Sequence, residues 1–228
     1  MFSRNGFLIA SQSSRKKISL MTDVNFLLRK TKQYKIMIKS KQDYNYYLER
    51  DRVASSIPPM NSLKAKIRQF FFPSYEWQFI KALRWLEYCE NVKKNHRGGV
   101  MYWVLAKYKF RKISVKLGFS IPINVFGPGL SLPHRGNIIV NPQTRIGENC
   151  RIHVGVNIGA HHDKAPKIGN NVYIGPGAII FGDIEIADNI SIGANATVNK
   201  SFTDPNVVIA GTPAKVVKTD VESWNGVK

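Results

Sequence analysis

Between residues 140 and 198 an aliphatic side chain recurs every six positions. Val140, Ile146, Ile152 and Ile158 set the phase, and after one interruption Ile168, Ile174, Ile180, Ile186, Ile192 and Val198 resume it. A helix with 3.6 residues per turn would scatter such a series around its surface. A coil with three flat sides stacks it into one continuous internal ladder. A sandwich of short strands would not hold a six-residue phase over some sixty residues, because its turns vary in length. The expected architecture is a parallel β-helix.

The rest of the hexad agrees. Thr144, Cys150, Val156, Val172, Ala178 and Ala196 supply a small or branched residue at its fifth position. Gly147, Gly159, Gly169, Gly175 and Gly193 follow the aliphatic residue, which suggests corner backbone conformations that a Cβ would oppose. The interruption between Ile158 and Ile168 is four residues longer than one repeat, so GAHHDKAPK holds an inserted loop carrying His161, His162 and Asp163. Insertions in repeat folds emerge as loops on one side, often the binding side.

The net charge of +19 divides unevenly. Residues 1–118 hold 25 Lys/Arg against 7 Asp/Glu, and residues 119–228 hold 9 against 8. The basic half mixes aromatic and aliphatic residues with Lys/Arg at helical spacing over 37–54, 62–94 and 98–118, punctuated by Pro58, Pro59, Pro73, Gly98 and Gly99. The expected organisation is a disordered or artefactual leader over 1–36, with Met37 the better start of the folded unit. A basic helical region over 37–118, a β-helix over 119–217 and a tail over 218–228 follow.

Several function classes recede. Cys89 and Cys150 stand far apart without a CxxC or Cys/His cluster, so neither a disulfide framework nor a zinc site is expected. No apolar run reaches the roughly 18 residues of a spanning helix. A cytoplasmic protein, soluble or peripheral at the inner face of the membrane, is the natural reading. His161, His162 and Asp163 are adjacent, and adjacent residues seldom ligate one ion together, so no metal is expected there. No nucleic-acid signature accompanies the charge, and no nucleic-acid partner is expected.

The stretches GPGLSLPHRGNIIVN, RIGENCRIHVGVNIG, APKIGNNVYIGPGAIIFGDIEIADNISIGANATVNKSF and AGTPAKVV, in that order, resemble the serine acetyltransferases, hexapeptide-repeat enzymes that move acetyl from acetyl-CoA to a hydroxyl. The likeness covers roughly 119–217 and is nearest to the branch associated with capsule and exopolysaccharide gene clusters. It implies a left-handed β-helix, a homotrimer and acetyl-CoA in the groove between subunits. The whole chain is then α+β, a C-terminal left-handed parallel β-helix preceded by a basic helical region.

On its residues alone His134 is either a reactive group or an incidental edge of the ladder. The resemblance places it on the family's catalytic histidine. An imidazole titrates near 6.5 and can accept the proton of an attacking hydroxyl at neutral pH. His153, one coil plus one residue further on, should be its neighbour, as a second polar group of the site or as a surface histidine. The resemblance also implies acetyl-CoA contacts at Gly159, Pro176, Ala194, Lys200 and Lys215, with solvated lysine as the alternative for the last two.

The departures bear on the acceptor. The family's aspartate fifteen residues ahead of the histidine is Phe119 here, the aspartate just before it is Pro133, and its Arg-His pair is Lys164 and Ala165. A buried zwitterion needs charged partners, so losing most of them weakens the case for serine and favours a saccharide hydroxyl. His162 and Lys164 could replace part of the clamp. A non-catalytic trimeric scaffold that binds an anionic surface through its basic half is the alternative of another class. In that half Phe70, Phe71, Phe72, Tyr75, Trp77, Trp85, Tyr102 and Trp103 either meet a membrane interface or pack inward.

Overall fold

The computed structural model describes residues 37–59, 67 and 71–226. The expected leader over 1–36 and Phe70 lie outside these residues.

Three helices precede the coil among the described residues. Helix α1 spans Lys41–Ala54, and the side chain of its cap Ser40 accepts a hydrogen bond from the Asp43 amide. Helix α2 spans Tyr75–Tyr88; Ser74 caps it by accepting from the Trp77 amide, and it runs on into a π-helical turn over Cys89–Lys93. Helix α3 spans Gly99–Leu117, between Gly98 at φ 73° and Gly118 at φ 75°. No helix among the described residues is long and apolar enough to cross a membrane.

The coil follows as three parallel sheets. The first joins β1 (Phe119–Ser120), β2 (Ile138–Val140), β5 (Asn157–Gly159), β8 (Ile179–Phe181) and β11 (Thr197–Val198) in that order. The second runs β4 (Arg151–Ile152), β7 (Tyr173–Ile174), β10 (Ser191–Ile192), β12 (Val208–Ala210), and ends in β13 (Lys215–Lys218), which pairs antiparallel. The third joins β3 (Arg145–Ile146), β6 (Lys167–Ile168) and β9 (Glu185–Ile186). Ile139 pairs with Asn157 and Tyr173 with Ser191, an offset of 18, whereas Asn157 pairs with Ile179 and Arg151 with Tyr173, an offset of 22. The extra four residues are the expected insertion. Every residue of the six-step series is 3% exposed or less. Burying each such side chain contributes about 2 kcal/mol.

The repeat glycines work differently from the expectation. Gly147, Gly169, Gly175 and Gly193 are not among the residues at positive φ. A Cβ on Gly175 would stand 2.8 Å from the backbone N of Ala194, so the glycine permits close approach of the next coil. One left-handed corner falls instead to Gly155, Gly177 and Asn195, and another to Asn149, Asn171, Asn189 and Asn206, at φ 55° to 61°. Each Nδ2 donates to the Oδ1 of the next at 2.8 to 2.9 Å, forming a ladder along one edge. The C-terminal segment returns to this ladder: Trp224 Nε1 donates to the Asn149 carbonyl at 3.0 Å, beneath the Arg151 guanidinium.

A buried ionic cluster joins helices to coil. Arg84 of α2 is fully buried and donates to Asp51 of α1, to Glu87 and to the carbonyls of Phe126 and Gly127. Asp51 accepts from the amides of Gly129 and Leu130, and Glu87 from that of Asn124. Burial opposes the Arg84 charge, but the carboxylates beside it hold its pKa above the ordinary value. Burial pushes the Glu87 carboxyl up, against the pull of Arg84.

Candidate active site

His134 sits on the loop between Ser131, which bridges to Arg151, and β2. The loop is held by backbone: the Gly136 amide donates to the Leu117 carbonyl, and the Gly155 amide to the Asn137 carbonyl at 2.6 Å. Gly136 has φ 136°, and a Cβ there would stand 2.3 Å from Val154 Cγ2, so only glycine lets the loop lie this close. Beside His134, Arg135 pairs with Glu76 in the first turn of α2 at 3.2 Å. Helix α2 therefore braces the loop.

The His134 imidazole is exposed, and its ring centroid lies 5.7 Å from that of His153 on the next coil. His153 in turn stacks 5.0 Å from Tyr173, a residue that the hexad pattern does not single out. Burial, then the His134 and Arg151 charges, lower the His153 pKa. Phe119, fifteen residues ahead of His134, is 4% exposed and packs its ring 4.9 Å from Phe79. It belongs to the core and offers the imidazole no carboxylate.

The edge continues beyond the histidines. The Gly177 amide donates to the Val154 carbonyl and the Asn195 amide to the Pro176 carbonyl, so exposed Pro176 and Ala194 rise on the same corner, just ahead of β8 and β11. Gly159 ends strand β5 and Lys200 lies two residues beyond β11, at the far side of that sheet. Lys200 places Nζ 5.4 Å over the Phe202 ring, and Lys215 opens β13 exposed.

The inserted loop is a tight reversal. His161 and Lys164 exchange backbone hydrogen bonds around His162 and Asp163, both at positive φ, the geometry of a two-residue hairpin turn. The rings of His161 and His162 lie 4.1 Å apart. Lys164 Nζ pairs with Asp183 at 2.8 Å, and this hydrogen bond holds the Asp183 carboxyl below its usual range. No contact among the described residues joins His162 or Lys164 to His134 within one chain; they stand at the opposite edge of the first sheet. Among the described residues no three His, Cys, Asp or Glu side chains gather as metal ligands would.

Residues 165–200 match the bacterial transferase hexapeptide family, six repeats. The coil is a hexapeptide-repeat solenoid. Across 98 residues the chain is 35% identical to a serine acetyltransferase of Staphylococcus aureus strain Mu50, covering 41% of this chain and 46% of that protein. The chain thus spans about half the length of the curated relatives it matches. The hexapeptide-repeat fold recurs in the structure of a serine O-acetyltransferase from Brucella melitensis, with TM-score 0.61, 24% identity, and 78% of this chain and 71% of that one covered. It recurs again in a serine acetyltransferase in complex with coenzyme A from Brucella abortus strain S19, with TM-score 0.59, 22% identity, and coverage of 78% and 69%.

Proposed function

We propose that this chain is an O-acetyltransferase of the serine acetyltransferase type, transferring acetyl from acetyl-CoA to a hydroxyl with His134 as general base. What supports it most is one edge of the coil that carries exposed His134, half-buried His153 and exposed Pro176 and Ala194 on successive turns. An elongated thioester suits such an edge, with its acyl end near the imidazole and Lys215 available to its phosphates, while Lys200, across the sheet, would face the site of a neighbouring copy. The coenzyme A complex of a protein with the same fold agrees with that donor.

The step needs one base. As the acceptor oxygen attacks the thioester carbonyl, its proton passes to the His134 imidazole. Backbone N–H groups stabilise the oxyanion. The C–S bond then breaks, and the thiolate leaving as free CoA takes the proton back from His134. Neutral His153 lines the acceptor side.

The site is shared in a homotrimer. Ile139 and Ile179 are 48% and 44% exposed on the flat outer face of the first sheet, which separates the histidine edge from the loop bearing His162 and Lys164. Packing that face on a second copy would bring one chain's His134 edge to the next chain's loop. An active monomer by light scattering would contradict this.

A saccharide hydroxyl is the second reading of the acceptor, and a specific observation favours it. Lys164, the cation left to clamp an amino acid, is engaged by Asp183, and Ala165 and Pro133 carry no charge. Thiol release from acetyl-CoA, measured with serine and with a panel of saccharides, separates the readings. Release that requires an added hydroxyl acceptor is expected. Its absence with every acceptor would leave a non-catalytic scaffold.

A further inference from the structure

Helix α3 has two apolar faces, and among the described residues the coil and helices cover one of them. Ala106 and Leu117 are buried and Trp103, Phe110 and Ile113 are partly buried, all on the inward side. On the opposite side Met101, Val104, Leu105, Tyr108 and Val115 are 62%, 50%, 57%, 66% and 77% exposed. At 100° per residue these five fall on one stripe. Apolar side chains of this size normally face a core, and a contiguous exposed patch of them marks a contact surface.

The charges around the stripe say what kind of contact. Lys107, Lys109, Arg111, Lys112 and Lys116 border or interrupt it, and α3 contains no Asp or Glu. A second copy of the same face would set those cations against their like. A neutral partner would leave them unmatched. An anionic bilayer satisfies both parts, taking the apolar stripe at the acyl boundary while the lysines stay among the headgroups.

We propose that α3 docks this protein onto an anionic membrane surface, lying in the interface plane without crossing it. Of the aromatic residues that the sequence offers for such a role, Phe71, Phe72 and Tyr102 are exposed, but the tryptophans serve differently. Trp77 is buried, and Trp85 and Trp103 are half-buried beneath the ammonium groups of Lys93, Lys94 and Lys107. The docking side chains are mostly aliphatic.

The test is sedimentation of the full chain with vesicles of phosphatidylcholine alone, or of phosphatidylcholine with phosphatidylglycerol. Binding is expected only to the anionic vesicles and should fade with added salt. Each basic residue near an anionic leaflet is worth roughly fivefold in partitioning, so K107A/K109A/K112A should bind at least about tenfold more weakly. V104S/L105S should weaken anionic binding while leaving its salt dependence. Both variants should keep the wild-type circular dichroism spectrum. If the triple variant does not fold, a polarity-sensitive dye on Val104→Cys replaces it, and a blue shift with anionic vesicles alone is expected. Wild-type binding by both variants, no dye shift, or equal recovery from all lipids would overturn the proposal. So would a fall in solution mass for V104S/L105S, which would make the face a contact between copies.

Discussion

Arg84 has no exposed surface, yet it keeps its charge because two carboxylates and two carbonyls surround it. The same Asp51 carboxylate that holds it also satisfies the amides of Gly129 and Leu130, at the first turn of the coil. Removing one partner of a buried pair leaves the other charge uncompensated. Asp51→Ala should therefore lower unfolding stability by about 3–5 kcal/mol, read from denaturant midpoints. A loss below about 1 kcal/mol would show that the cluster is not what joins helix to coil. None of this was legible in the sequence, where a lone arginine in YEWQFIKALRWLEY reads as a solvated residue and its partners lie far off along the chain. His134 and His153 were legible, because a constant coil length turns sequence separation into adjacency. Tyr173 was not, since the inserted loop alters the offset between them.

At the scale of the element, the six-residue phase carried the strands, their parallel pairing and the place of the insertion. It did not carry the corners. Glycine after the aliphatic residue suggested special corner backbone, but four of those five glycines make room for the neighbouring coil, and the left-handed positions go to asparagines and to Gly155 and Gly177. The signal was present in Asn149, Asn171, Asn189 and Asn206, spaced 22, 18 and 17 apart, which follows the coil to within one residue once the four-residue insertion is counted. Asparagine tolerates that conformation and its amide can stack on the next. Asn171→Ala should lose both the ladder bonds and the tolerated backbone, costing about 2 kcal/mol. Asn171→Gly keeps the backbone and should cost about 1 kcal/mol. Thermal melts of the two variants check this, and equal losses would mean that the backbone conformation contributes nothing.

Across the whole molecule the charge asymmetry has a structural meaning. Among the described residues, acids of the basic half are paired: Asp51 and Glu87 with Arg84, Glu76 with Arg135, Glu90 with Lys94 and Trp103, and Glu49 with Arg52. The cations of α3 are left to face outward, on the helix whose apolar stripe is exposed among the described residues. The near-neutral coil meanwhile presents a histidine edge and a flat face that suit a shared site. All of these features converge on acetyl transfer only if His134 moves the proton. The most direct measurement is acceptor-dependent thiol release by purified His134→Ala, with its fold and assembly checked by circular dichroism and light scattering. Turnover should fall by at least about two orders of magnitude, the usual scale for losing a general base. Near-normal turnover in a folded His134→Ala protein would contradict the assignment.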